Sequence, residues 1–337
     1  MRVGFVLGPS TGGIGVHVAS LQQELSALAV ASLAVTSELS ARSHNLSNTK
    51  IAWPGGPRQL YRMRAALAEC DLVHAHGLRA GFWASLVCGG KPLVVSLHNQ
   101  APANSRVGRV TARRAALMTG ASGDLVELAQ GWGAKNTALA EVPSPRTASL
   151  LARPKSEGAA KKREVLRDLG LDPQRPVLLS VARDAPQKRL FDLAHLARLV
   201  EAQVVLVGDA KLPGVISCPG DRLNELYFAA DAFVLLSEWE ARALVVQEAM
   251  AAGLPVIATR TGGLSDLVSE GKTGFLVPVG EPEAAALAVQ KLLGEPDLAA
   301  RLGRSGRDMA ALWPDPAGAA QDWCHTYADL VGARTTR

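Results

Sequence analysis

Glu240 and Glu248, seven residues between them, stand either side of a change in periodicity of the 337-residue chain. Before them, Ala232-Phe233-Val234-Leu235-Leu236 is an apolar run that reads as a buried strand ending at Ser237. After Glu240, Leu244, Gln247, Glu248 and Ala251 recur at helical spacing, with Gly253 as stop signal and a second strand from Pro255 to Ala258. Ligands of parallel sheets sit where strands end and helices begin. The first amides of this helix, from about Ala243 through Leu244 and Val245 to Val246, have no partner inside it. Together with the helix dipole they favour an anion such as a phosphate. Glu248 leans toward the same mouth, where a carboxylate only accepts hydrogen bonds and suits the hydroxyl pair of a ribose. Glu240 would do likewise for a sugar. Taken alone, the pair reads equally well as a dipole-favoured N-terminal acid and a solvated Glu248.

Two cations add to this. The strand Val177 to Ala182 runs into Arg183 and Lys188, then into a helix with Leu190, Leu193, Ala197 and Val200 on one face. A lysine at a helix start opposes the dipole, and a bound anion would offset that. Arg183 offers a planar fork for phosphate oxygens and Lys188 a point charge. Near the N-terminus, Gly12-Gly13-Ile14-Gly15-Val16-His17 opens another helix, and glycines such as Gly13 and Gly15 let backbone approach a phosphate. A dinucleotide fingerprint would need glycine where Val18 stands, so the G-x-G-x-x-G pattern fails, and Glu38 reads as a surface residue. His74 and His76 project to one side of the strand Asp71–Gly77, and His98 ends the strand that begins at Pro92. Three histidines near strand ends raise a metal site, but spacing identifies no third ligand. The favoured reading is hydrogen bonding, with no metal.

These residues need elements to hold them. The chain is long enough for two full cores, and 48% hydrophobic with 20% charged residues is a globular composition. Strand and helix patterns alternate throughout, which implies parallel sheets. The expected division is a first Rossmann-like domain over 1–145, a hinge and linker rich in Ala, Lys and Pro over 146–165, a second such domain over 166–318, and a terminal helix over 319–337 with Trp323, Tyr327 and Leu330 at helical spacing. No apolar run approaches the ~18 residues of a membrane span. The N-terminus reads as a first strand, not a signal peptide. Four scattered cysteines without a C-x-x-C pair point to reduced thiols and a cytoplasmic setting. The net charge of +5 is uneven: residues 1–160 hold 16 Lys+Arg against 8 Asp+Glu, and residues 161–337 hold 20 against 23. The basic half favours an anionic acceptor, or one presented at the inner face of a membrane. Arg58 and Arg62, with Arg106, Arg109, Arg113 and Arg114 of the stretch Ser105 to Met118, carry much of that charge. The Ser105 stretch contains Gly108 and lacks an aromatic anchor, so a solvated helix face is favoured over an interfacial one. Nucleic acid is disfavoured, since only 4% of residues are aromatic and no groove-reading motif occurs.

The segment Glu240-x7-Glu248, followed by Ala249-Met250-Ala251-Ala252-Gly253-Leu254-Pro255-Val256-Ile257 and the Gly262-Gly263 pair, resembles the E-x7-E motif of glycosyltransferase family 4. Gly12 to His17 resembles the first loop of that family, and Arg183 to Lys188 its G-R-x-x-x-x-K pattern with Ala182 for the glycine. The resemblance implies a GT-B fold, two Rossmann-like domains facing a central cleft, and a retaining, metal-independent transfer from a UDP-, GDP- or dTDP-sugar without a cofactor. It implies that Glu240 meets the donor sugar, Glu248 the ribose, and Arg183 with Lys188 the diphosphate. His98 is implied to lie near donor sugar and acceptor, and His17 and His74 on the acceptor side. The family usually has a glycine after the first glutamate, where this chain has Ala241-Arg242-Ala243. A non-catalytic nucleotide-sugar binder is therefore one alternative, and a nicotinamide-dependent oxidoreductase a weaker one.

Overall fold

The computed structural model describes residues 1–53, 56–153 and 158–335. They form two compact units, Met1–Pro143 with Pro314–Arg337, and Ser144–Trp313. In the first unit, strands and helices alternate: β1 (Arg2–Leu7), α1 (Gly13–Ala27), β2 (Ala31–Thr36), α2 (Glu38–Ser43), β3 (Thr49–Ile51), α3 (Pro57–Leu67), β4 (Leu72–His76), α4 (Leu78–Val87), β5 (Leu93–Leu97), α5 (Arg106–Arg114), β6 (Leu117–Gly120), α6 (Gly123–Gly131) and β7 (Thr137–Leu139). The strands make one parallel sheet in the order β3-β2-β1-β4-β5-β6-β7. The order reverses beside β1, which places the loop after β1 at a topological switch point.

The second unit begins with α7 (Thr147–Ala152) and α8 (Gly158–Asp168). It continues with β8 (Val177–Val181), α9 (Leu190–Leu199), β9 (Gln203–Val207), β10 (Val215–Cys218), α10 (Leu223–Ala229), β11 (Ala232–Leu235), α11 (Leu244–Ala252), β12 (Val256–Thr259), α12 (Leu264–Leu267), β13 (Gly274–Val277), α13 (Pro282–Gly294) and α14 (Pro296–Ala310). Its parallel sheet runs β10-β9-β8-β11-β12-β13, and the order reverses between β8 and β11. The strand period of two divides β11 between two cores. Phe233 and Leu235 pack with Val246 and Met250 of α11, while Ala232 and Val234 pack with Leu193 of α9 and Val289 of α13. Each fully buried Leu, Val or Phe contributes about 1.5–3 kcal/mol. A last helix, α15 (Pro316–Thr335), lies with the first unit, where Ala320, Trp323 and Tyr327 join the core of β1 and α1.

The linker expected over 146–165 is corrected in part. It carries α7 and the start of α8, and residues 154–157 lie outside the described residues. α7 is held from a distance in sequence. Arg307 of α14 donates to the carbonyls of Leu150 (3.2 Å), Leu151 (2.5 Å) and Arg153 (2.9 Å) at the end of this helix. Orphan C-terminal carbonyls need such partners, and a cation suits the negative end of the dipole. Among the described residues no helix is long and apolar enough to cross a membrane.

Candidate active site and its relatives

In the second unit, β8 and β11 are neighbours in the sheet, so the loops that follow them bring together residues far apart in sequence. Arg183 is exposed just past β8, with no hydrogen bond or ion pair among the described residues. Lys188 closes a single 3-10 turn, Pro186–Lys188, ahead of α9. Its Nζ lies 2.5 Å from Glu240 Oε1, and both side chains are largely buried. The expected cation and the expected sugar-binding carboxylate are thus one ion pair. A buried carboxylate left without such a partner would be strongly disfavoured.

The loop that carries Glu240 is pinned at several points. Glu238 N–H donates to Gln187 O (2.8 Å), and Gly263 N–H donates to Glu240 O (2.8 Å). Thr261 Oγ1 donates to Glu238 O (3.0 Å). Gly262 has φ +44°, and a Cβ there would stand 2.3 Å from the Glu240 carbonyl oxygen. Only glycine allows this close approach. Ala241 stands where the family pattern has glycine after the first glutamate, and the guanidinium of the next residue, Arg242, lies 5.6 Å from the Trp313 ring centroid. Ser237 Oγ, just past β11, is buried without a hydrogen-bond partner among the described residues. Such an orphan at a strand end is a group that a ligand or water would satisfy.

α11 begins after Ala243, whose side chain cannot cap it, so the first-turn amides of Leu244 and Val245 have no side-chain acceptor. Glu248, one turn in, is 5% exposed. Reading it as solvated is therefore wrong. Ser144 Oγ donates to its Oε1 (2.5 Å), Tyr227 Oη donates to its Oε2 (2.9 Å), and the Arg146 guanidinium lies 3.6 Å from Oε2. Burial first, then the Glu248 carboxylate, push the Tyr227 phenol well above its ordinary value, so Tyr227 stays a donor. The sequence reading missed Ser144, Arg146 and Tyr227 as its partners. Nothing in their spacing marks them, since Ser144 and Arg146 lie about a hundred residues upstream.

The first unit holds the glycine loop and the histidines. α1 starts after Gly12 with no side-chain cap, and a side chain at Gly13 would meet open space. Gly15 differs, because a Cβ there would meet the His44 ring at 2.1 Å. Its glycine is explained by packing against His44, which bonds the Ser10 carbonyl. His17, His76 and His98 cluster. His76 Nδ1 and His98 Nε2 are 3.0 Å apart with stacked rings, and the His17 ring lies 5.6 and 5.9 Å from theirs. Burial pushes His17 down to about 4 and His98 to about 3, so both are neutral at pH 7. Burial first, then the neighbouring imidazoles, push His74 and His76 well below the usual histidine value.

His74 does not fit the acceptor side on which it was expected. It is fully buried, with Nδ1 bonded to Tyr327 Oη (2.6 Å) and Nε2 to Ser96 Oγ (2.7 Å), which continues to Thr119 Oγ1 (2.7 Å). Both nitrogens are used, and α15 covers the ring through Trp323. Among the described residues no group of three or more His, Cys, Asp or Glu is placed to hold a metal ion.

The chain is similar to known proteins in sequence and in fold. Residues 11–153 match the model of Glycosyltransferase Family 4, and residues 161–309 that of Glycosyl transferases group 1. A GDP-mannose-dependent alpha-mannosyltransferase of Mycobacterium tuberculosis is 35% identical over 192 residues, 52% of this chain and 49% of that protein. The sulfoquinovosyl transferase SQD2 of Arabidopsis thaliana is 34% identical over 154 residues, 41% of this chain and 30% of that protein. The chain thus spans half or less of the length of these curated relatives. Among solved structures, Anabaena HepE in complex with UDP superposes with a TM-score of 0.83 at 19% identity, covering 98% of this chain and 100% of that one. Sucrose-phosphate synthase from Thermosynechococcus elongatus does so with 0.76 at 21% identity over 98% of this chain and all of that one. The fold is that of the GT-B glycosyltransferases, two parallel-sheet α/β units. With both units matched by models of the same enzyme group, the chain belongs to glycosyltransferase family 4.

Proposed function

We propose that the protein is a retaining glycosyltransferase that moves a sugar from a nucleotide-sugar donor to an anionic acceptor in the cytoplasm, without a metal or cofactor. The observation that carries this reading is the Lys188–Glu240 pair placed beside an uncapped α11, with Glu248 one turn inside the same helix. The donor belongs to the second unit. Glu248 accepts from a ribose hydroxyl with its remaining lone pairs, and the Leu244 and Val245 amides receive the diphosphate. Arg183 supplies the second cation.

In the reaction the bond between the anomeric carbon and the phosphate oxygen breaks, and the electron pair leaves with the diphosphate. Arg183, Lys188 and the amides stabilise that charge as it grows, which is electrostatic preorganisation. The acceptor hydroxyl attacks from the face the diphosphate leaves, so configuration is retained, and its proton passes to the departing phosphate oxygen. Glu240, held by Lys188, orients the sugar. On the first unit, His17 and His98 stay neutral and serve as hydrogen-bonding groups toward the acceptor, not as acids. The relatives' names support a nucleotide-sugar donor, GDP-mannose for one and UDP for the HepE structure. UDP-, GDP- and dTDP-sugars are therefore the donors to try.

The test is turnover with that donor panel and a set of anionic acceptors, with the anomeric configuration of the product read by NMR. Retention at the anomeric carbon supports the reading. An inverted product overturns the front-face mechanism. Donor binding without transfer or donor hydrolysis would leave a nucleotide-sugar binder.

A further inference from the structure

Neither the donor site nor the histidine cluster uses the arginines on one face of the first unit. There α3, α4 and α5 pack side by side, with α4 in the middle. α3 exposes Arg58, Arg62 and Arg64, α4 exposes Arg79, and α5 exposes Arg106 and Arg113. None of these forms an ion pair among the described residues. The three helices contain no aspartate or glutamate at all. A surface serving solubility alone intersperses both signs. The single-sign field stops at α6, whose neighbour Trp132 packs on Gly108 of α5 and which exposes Asp124 and Glu127.

Apolar side chains stand out among the arginines. Tyr61 of α3 is 73% exposed, Leu86 of α4 is 40%, and Val107 and Val110 of α5 are 38% and 37%. Tyr61 also provides an aromatic anchor that the α5 stretch lacks on its own. Tyrosine is a side chain that settles at headgroup depth. A lone α5 reads as a solvated face, but three adjacent helices make a broad basic surface with apolar points.

We propose that this face docks the protein on a bilayer rich in anionic lipid, with the arginines at lipid phosphates and Tyr61, Leu86, Val107 and Val110 at the headgroup–acyl boundary. The negative surface potential of such a bilayer draws basic residues, each strengthening partition about fivefold. Guanidinium groups pair with phosphate oxygens in a bidentate way. A nucleic acid would attract the same arginines but would offer the valines and Leu86 nothing, whereas a bilayer accepts both kinds of group. The contact proposed is a surface one, made by exposed side chains of three helices, none of which is long and apolar enough to cross a membrane. The inference deepens the acceptor part of the proposed function and rests on that reading only for its purpose, since an acceptor held at the bilayer would meet the enzyme there. The docking itself is read without donor or acceptor.

The experiment is co-sedimentation of the whole chain with vesicles of phosphatidylcholine alone or with added phosphatidylglycerol, across a salt series. Binding to the phosphatidylglycerol vesicles, absent with phosphatidylcholine and weakened by salt, is the expected result. The combined change Arg58→Gln, Arg62→Gln, Arg106→Gln and Arg113→Gln lowers partition several hundredfold, at about fivefold per arginine. Tyr61→Ser weakens partition without altering its salt dependence. All five positions are exposed, and an unchanged circular-dichroism spectrum and urea unfolding profile confirm that each variant is folded. Equal partition of wild type and the fourfold variant, no vesicle binding, or binding to duplex DNA in place of vesicles overturns the docking. Vesicle binding by a chain that turns over no donor would instead sink the transferase reading and leave the docking standing.

Discussion

At the scale of single residues, the proposed donor site predicts a division between groups that act in chemistry alone and groups that also hold the fold. Arg183 is exposed and unpaired among the described residues, so Arg183→Ala should leave the unfolding midpoint unchanged and lower kcat on the order of 10²-fold, by analogy with loss of an oxyanion-hole donor. Lys188→Ala should do both kinds of harm. It removes the proposed phosphate contact and strands Glu240 in a largely buried position, costing about 3–5 kcal/mol of stability. Steady-state rates together with urea unfolding of the two variants separate the roles, and equal destabilisation would contradict them. Glu248→Ala should weaken nucleoside diphosphate binding roughly ten- to a hundredfold, from the loss of about 1.5–3 kcal/mol for a hydrogen bond to a charged group. Tyr227→Phe is its control. It removes one donor to Glu248 and keeps the carboxylate, so calorimetry should show a smaller loss. The sequence made Arg183, Lys188, Glu240 and Glu248 visible because strand ends and helix starts are legible as periodicity. That Lys188 and Glu240 pair was not legible, because it depends on which strands are neighbours.

At the scale of elements, the loop between β11 and α11 is set by Gly262. Gly262→Ala forces a methyl group toward the Glu240 carbonyl at a positive φ. It should lower turnover sharply by displacing that loop, while nucleoside diphosphate, which the proposal assigns to Glu248 and the α11 amides, should still bind. Calorimetry and kinetics on the same sample check this, and wild-type kcat would contradict it. The Gly262-Gly263 pair stood out in the sequence, but its partner, the Glu240 carbonyl, did not. α7 was misread for a related reason. Its own residues look like a linker, and the side chain that closes its C-terminus, Arg307, comes from α14. Local composition carries no trace of such a contact.

α1 (His17), β4 (His74 and His76) and the residue just past β5 (His98) present the buried histidines, and these tie stability to pH. The folded-state values of His17 and His98, about 4 and about 3, lie below the unfolded value near 6.5, and His74 and His76 are lowered as well. The unfolded chain therefore binds more protons in the interval between. Their contribution to stability is whole above about pH 6.5 and is lost as pH falls from there toward 4 and below. Each such group adds a slope of up to about 1.4 kcal/mol per pH unit in that window. Urea unfolding between neutral and mildly acid pH should show the loss, and His98→Gln should make the curve shallower. A flat profile for wild type would mean that these rings are charged or solvated in the folded state.

At the scale of the whole molecule, alternating strand and helix patterns announced two parallel-sheet units, and both sheets have that form. Charge imbalance between the halves was plain from composition, yet its concentration on three adjacent helices needed the fold. Acceptor chemistry stays hardest to read, because selectivity rests on a few hydrogen bonds made by residues with no shared motif. The donor side is more direct. The most direct measurement is release of nucleoside diphosphate from UDP-, GDP- and dTDP-sugars by the wild-type chain and by Arg183→Ala. A transferase whose second unit stabilises a departing diphosphate should release it from at least one of these donors, slowly to water without acceptor, and about a hundredfold more slowly in the variant. Release from none of them, or equal release by both proteins, would contradict the assignment.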